Sequence, residues 1–201
     1  MSLELADNYV KSIFDSHPEH LRQYGFRDKY SHTKRVFGWA KKLLQTEKAD
    51  NDILLYAAIF HDAGYALSSD EHPKRSAEIC EKYLSENGFG GIFTERVVEC
   101  VLNHQNKELL HRDNINKEVI LLIEADCLDE SGAMSILRDA ISEGVSGNAD
   151  YNKTYKRLLE RRIVLQPNDF FCVTETAKKI WREKQKLYFD FIESLKIDLG
   201  E

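Results

Sequence analysis

The sequence predicts an all-α protein, a single-domain helical bundle with a metal site in its core. Three observations carry that prediction. Apolar residues recur at helical spacing along nearly the whole chain. Short alternating runs closed by Asn-Gly or Asp-Gly hairpin signals are absent. Histidines and aspartates interrupt the apolar faces of several separate helices, where one cation can rescue them together. The 201 residues suit one domain, with no repeat, low-complexity stretch or long linker.

The elements follow in order. Val36, Trp39, Ala40 and Leu43 share one helical face, and His32 lies one turn before Val36. Leu54, Ala57, Ala58 and His61 share a second face. Val97, Cys100, Val101 and His104 form a third, and Val119, Leu122, Ile123 and Asp126 a fourth. The last long helix carries Val173, Ala177, Ile180, Trp181, Leu187, Tyr188, Phe191 and Leu195 at helical spacing. Breaks fall at Glu86–Gly91, a helix stop with a glycine cap, and around Gly144–Asn152, a mobile loop. Pro18, Pro73 and Pro167 each stand at a helix boundary. The aromatics Phe37, Trp39, Trp181, Tyr188, Phe189 and Phe191 read as core.

Composition excludes some functions. Lys plus Arg number 28 against 34 Asp plus Glu, a net charge of −6, which opposes binding of a nucleic acid polymer or an anionic membrane. The longest apolar run, Ile53 to Phe60, is far too short to span a bilayer, and the N-terminus shows no secretory signal. Cys80, Cys100, Cys127 and Cys172 form no CxxC pair and read as buried reduced thiols of a cytoplasmic protein.

The polar residues on apolar faces carry the chemistry. His32, His61, Asp62, His104 and Asp126 sit where an unpaired polar group is costly. Each alone has an ordinary explanation: a hydrogen-bonded core histidine, or an acid at a helix junction. Several together point to a divalent metal such as Mn, Fe, Ni, Co or Zn, with Mg also suitable. His17, His20 and His111 read as surface residues.

In this order, His32, His61-Asp62 and Asp126 resemble the HD superfamily of metal-dependent phosphohydrolases. His32-Thr33-Lys34-Arg35-Val36 looks like the opening His-x-x-Arg-Val helix of that family. Ala57 to Tyr65 looks like its apolar helix ending in His-Asp, and Ala125-Asp126-Cys127-Leu128-Asp129 like its closing segment. The resemblance covers roughly residues 20–140, with helices at 151–201 packing on that core. It is strongest to the small single-domain bacterial branch, and it implies His32, His61, Asp62 and Asp126 as metal ligands and Asp62 as the catalytic residue. His72 and His104 look like positions that hold a second metal or contact phosphate. The short link from Asp62 to His72, and Gln105 after His104, favour one metal per chain over two. Arg35 and Arg138 match positions for the substrate phosphate, while Lys34, Lys74 and Arg75 lie nearby in sequence. Tyr65 is placed to line the pocket.

The implied activity is hydrolysis of a phosphate ester, a nucleotide or another small phosphorylated molecule, by metal-activated water. Two alternatives use the same residues. One is a di-iron oxygenase, which needs both His72 and His104 as ligands. The other is a metal-stabilised domain that senses a nucleotide without turnover. Hydrolysis of (p)ppGpp ranks low, because Ala63-Gly64-Tyr65 stands where those relatives carry an acidic pair. The C-terminal helix, apolar on more than one side, leaves room for a partner such as a second copy.

Overall fold

The structure is a computed structural model that describes residues 2–18, 25–147, 150–164 and 171–200. It is helical, with no strand among the described residues. The chain divides into two compact units, Met1–Asp129 and Glu130–Glu201.

Among the described residues the first unit holds six α-helices: α1 (Leu3–Ser16), α2 (Lys29–Leu43), α3 (Asn51–Phe60), α4 (His72–Glu86), α5 (Gly91–Asn103) and α6 (Lys117–Asp129). Helix α3 is central and touches α1, α2, α4, α5 and α6. Its sequence explains the position, because every residue from Ile53 to Phe60 except Leu55 is hydrophobic and fully buried. Burying one such side chain contributes about 1.5–3 kcal/mol. Asp50 starts α3 by accepting from the backbone N–H groups of Asp52 and Ile53. The Asp50 backbone N–H donates to Glu118 Oε1 on α6 at 2.7 Å, and Arg96 on α5 pairs with the same carboxylate at 3.0 Å. One buried glutamate thus fixes where α3 begins relative to α5 and α6.

Asp28 starts α2 in the same way, accepting from the N–H groups of Tyr30 and Ser31. Pro73 lies in the first turn of α4, where its missing N–H is harmless. Pro18 follows the end of α1, while Pro167 lies outside the described residues. The expected stop after Glu86 is present, with Gly88 at φ +76°. The connection after Gly144 also falls where expected, although residues 148–149 lie outside those described.

The second unit holds α7 (Ala133–Gly144), α8 (Tyr151–Val164) and α9 (Glu175–Leu199). The register of α9 differs from the sequence expectation. Its buried face is Ala177, Ile180, Trp181, Gln185, Tyr188 and Ile192, whereas Leu187 and Phe191 are exposed. The seam is set by Tyr188, whose hydroxyl donates to the Leu158 carbonyl at 3.0 Å, and by Lys184, which packs on Gly132. The buried polar Gln185 hid this register from an apolar-periodicity reading. All four cysteines are buried thiols outside any disulfide, as expected. Among the described residues no helix is long and apolar enough to cross a membrane.

Candidate metal centre

The helices of the first unit bring six of the expected residues together. His32 comes from the first turn of α2, His61 ends α3, and Asp62 follows it. His72 opens α4, His104 ends α5, and Asp126 lies in the last turn of α6. They form two groups whose ligand atoms lie within 4.8 Å of one another: His32, His61 and Asp126, and Asp62, His72 and His104. Asp62 faces both. Its Oδ2 is 3.5 Å from His32 Nε2 and 3.7 Å from His61 Nε2. Its Oδ1 is 3.2 Å from His72 Nε2 and 3.5 Å from His104 Nε2.

The outward nitrogens fix the ring orientations. His61 Nδ1 donates to the Ala58 carbonyl at 2.9 Å, His72 Nδ1 to that of Ser69 at 3.0 Å, and His104 Nδ1 to that of Val101 at 2.7 Å. A carbonyl only accepts, so each Nδ1 carries a proton, and in the neutral ring each Nε2 presents a lone pair to the centre. His32 Nδ1 lies 2.8 Å from Asp129 Oδ2, and Arg35 in turn forks onto Asp129 at 2.8 and 3.0 Å. Carboxylate support behind a histidine is the usual arrangement of a metal-ligating imidazole.

The donor set fits a divalent cation. His32 Nε2 and His61 Nε2 face each other at 3.3 Å, an arrangement that needs a proton or a cation between them. His72 Nε2 is buried with no hydrogen-bond partner, which is costly unless something binds there. Imidazole nitrogens with carboxylate oxygens suit several transition metals.

Charge is distributed unevenly. Burial alone would lower His32, but its bonds to Asp126 and Asp129 outweigh that and raise its pKa to about 10. Burial dominates at His61 and lowers it to about 4, against the attraction of Asp62. Burial would raise Asp62, yet the neighbouring imidazoles of His61, His104 and His72, together with Lys29, hold it well below the ordinary carboxylate value. Asp126 is likewise depressed, with burial outweighed by His32. The metal-free centre therefore keeps its carboxylates ionised, and a proton on His32 does part of the work of a cation.

A glycine sets the second group. A Cβ on Gly64 would lie 2.5 Å from the Ser76 backbone nitrogen and 2.7 Å from the His72 carbonyl. Only a bare backbone lets the 3-10 turn Ala63–Ala66 sit against the first turn of α4. Gly64 N–H donates to Ser76 Oγ at 2.9 Å, which secures the contact. Asp62 and His72 are brought together by this close approach.

The remaining expected residues lie elsewhere. Arg35 is engaged with Asp129. Arg138 belongs to the second unit, where it pairs with Glu130 at 2.7 Å and Asp139 at 3.4 Å. Lys34 pairs with Asp7, and Lys74 is exposed. Tyr65 does border the centre, its ring centroid 4.7 Å from that of His72. His111 is exposed, His17 is half-buried, and His20 lies outside the described residues. Sequence reasoning missed Lys29, whose Nζ donates to Asp62 Oδ2 at 2.8 Å. The available signal was its place one turn before His32 on α2.

The HD domain model matches residues 30–131. No curated protein sequence matches the chain. Solved structures are similar over almost the full length. Bacillus subtilis YpgQ in complex with ADP is 22% identical, with a TM-score of 0.72 over 98% of this chain and 94% of that one. The Lin1889 protein from Listeria innocua is 24% identical, with a TM-score of 0.69 over 100% and 98%. A predicted HD superfamily hydrolase from an uncultured Thermotogales bacterium is 23% identical, with a TM-score of 0.64 over 94% and 92%.

Proposed function

The chain belongs to the HD domain family, and from that premise we propose a metal-dependent hydrolase that cleaves a phosphate ester of a small molecule. The observation that carries the reading is Asp62, a buried carboxylate whose two oxygens face two sets of imidazole nitrogens. His32, His61, Asp62 and Asp126 would hold one divalent cation. His72 and His104, with the other oxygen of Asp62, would hold a second, so the geometry favours two positions where the sequence favoured one. A bound divalent cation polarises a phosphoryl oxygen and acidifies water. Asp62, kept ionised, holds and orients. Asp129 and Arg35 keep the His32 ring in place from behind. Tyr65 walls the side next to His72. The ADP held by YpgQ supports a nucleotide as the substrate class. The buried thiols, none in a disulfide, suit a cytoplasmic setting.

One observation favours a second reading. The convergence of His72 and His104 on Asp62 supplies the ligands that a di-iron oxygenase requires. Elemental analysis of protein purified without chelator separates the two, alongside phosphate release from nucleotides and phosphomonoesters. Hydrolysis should require the metal and vanish in His61→Ala and Asp62→Ala while helical content persists. His72→Ala should lose about half of the metal if both positions fill. Full activity in Asp62→Ala would refute the hydrolase mechanism. Two irons per chain, with oxygen consumption and no phosphate release, would favour the oxygenase.

A further inference from the structure

We infer that Lys29 is the residue that receives the anionic group of the substrate, an inference that rests on the phosphohydrolase reading above. The Lys29 side chain is 17% exposed, and its Nζ lies 2.8 Å from Asp62 Oδ2. That oxygen is the one that faces His32 and His61. The ammonium therefore stands one carboxylate oxygen away from the first metal position. It also lies 4.2 Å over the Tyr65 ring, and Tyr65 packs on His72. Aromatic support of this kind fixes a flexible amine in place.

Charge explains why an ammonium there serves an anion. Among the described residues, Asp62 and Asp126 are the carboxylates grouped with the histidines, while Asp129 is paired with Arg35 behind His32. Two carboxylates cannot balance two divalent cations and an ammonium, and they fall short even with one cation. Lys29 adds to that positive surplus beside the buried Asp62 and is itself 17% exposed. A phosphoryl group carries negative charge on its peripheral oxygens and develops more as it transfers. Arg35 faces Asp129 and Arg138 belongs to the second unit, whereas Lys29 borders the centre beside Asp62.

The test uses manganese-loaded wild-type, Lys29→Met and Lys29→Arg proteins, with inorganic phosphate as probe. Metal content is read by elemental analysis, phosphate affinity by calorimetry, and folding by circular dichroism. Lys29→Met should keep the wild-type metal content and bind phosphate roughly 10- to 100-fold more weakly, the effect of losing one charged hydrogen bond. Lys29→Arg should recover most of the affinity. Unchanged phosphate affinity in a metal-replete Lys29→Met protein would overturn the assignment alone. Loss of metal in Lys29→Met would overturn it too, and would reduce Lys29 to a support for Asp62. A wild-type protein that binds metal but no phosphate would overturn the phosphohydrolase reading and this inference with it.

Discussion

Metal binding to this protein should expel a proton from His32. With its pKa raised to about 10, the ring is protonated at neutral pH in the metal-free protein. A protonated imidazole has no lone pair for a metal. Binding at the His32, His61 and Asp126 group therefore costs the removal of that proton. His61, lowered to about 4, is already neutral and adds nothing. The consequence is a release of about one proton per metal at pH 7 and a gain of about tenfold in affinity per pH unit up to pH 8.5. That slope is about 1.4 kcal/mol per unit. Calorimetric titration with manganese, in buffers of different ionisation enthalpy, measures both quantities. Stability gives an independent check. His32 is raised above its unfolded value, so its contribution is whole below pH 6.5 and is lost as pH rises through about 10. At most it is about 5 kcal/mol, and coupling to the other groups reduces it. His61 is lowered, so its contribution is present above pH 6.5 and is lost as pH falls through about 4. The metal-free protein should thus be most stable near neutrality and weaken in alkali, and the metal-loaded protein should resist the alkaline loss. A pH-independent manganese affinity without proton release would refute the picture of His32 as a protonated stand-in for the cation.

Two further substitutions probe the supports of the centre. Asp129→Asn should weaken metal binding about 10- to 100-fold, the usual effect of removing the carboxylate behind a ligating histidine, with helical content unchanged. Equilibrium dialysis reads the affinity, and a wild-type value would mean that Asp129 is only a partner of Arg35. Gly64→Ala should destabilise the protein by about 1–3 kcal/mol, because its Cβ would overlap the Ser76 backbone nitrogen at 2.5 Å. Relief requires α4 to move away, so His72 should leave Asp62 and metal content should fall. Urea unfolding and elemental analysis together check this, and full metal content would show that the turn yields without moving His72.

Much of this arrangement is legible in the chain because apolar periodicity and chemistry coincide. His61 continues the face of Leu54, Ala57 and Ala58, and His104 continues that of Val97, Cys100 and Val101. A polar residue in phase with a buried stripe announces that the core contains something polar. The same logic fails at Gln185, since an apolar count passes over an amide and slides to Leu187 and Phe191. It also fails at Lys29, a helix-surface cation in sequence that only the fold brings to Asp62, 33 residues away. Charged partners so distant in sequence leave no periodic trace.

The approach of His72 to Asp62 is harder to read in the sequence, for a related reason. The nine residues between Asp62 and His72 look too short to return a histidine to the same carboxylate. The chain manages it by folding Ala63–Ala66 into a 3-10 turn and pressing Gly64 into the first turn of α4. Glu71 then enters the left-handed region, at φ +50°, immediately before His72. A non-glycine residue in that region costs of order 1 kcal/mol. The strain is held by the Gly64–Ser76 hydrogen bond on one side and by the His72–Ser69 bond on the other. A short link made possible by a glycine contact and a strained cap is a way to bring His72 to Asp62, not evidence against their meeting. Burying His72 Nε2 beside a carboxylate at such cost makes physical sense if a cation joins them.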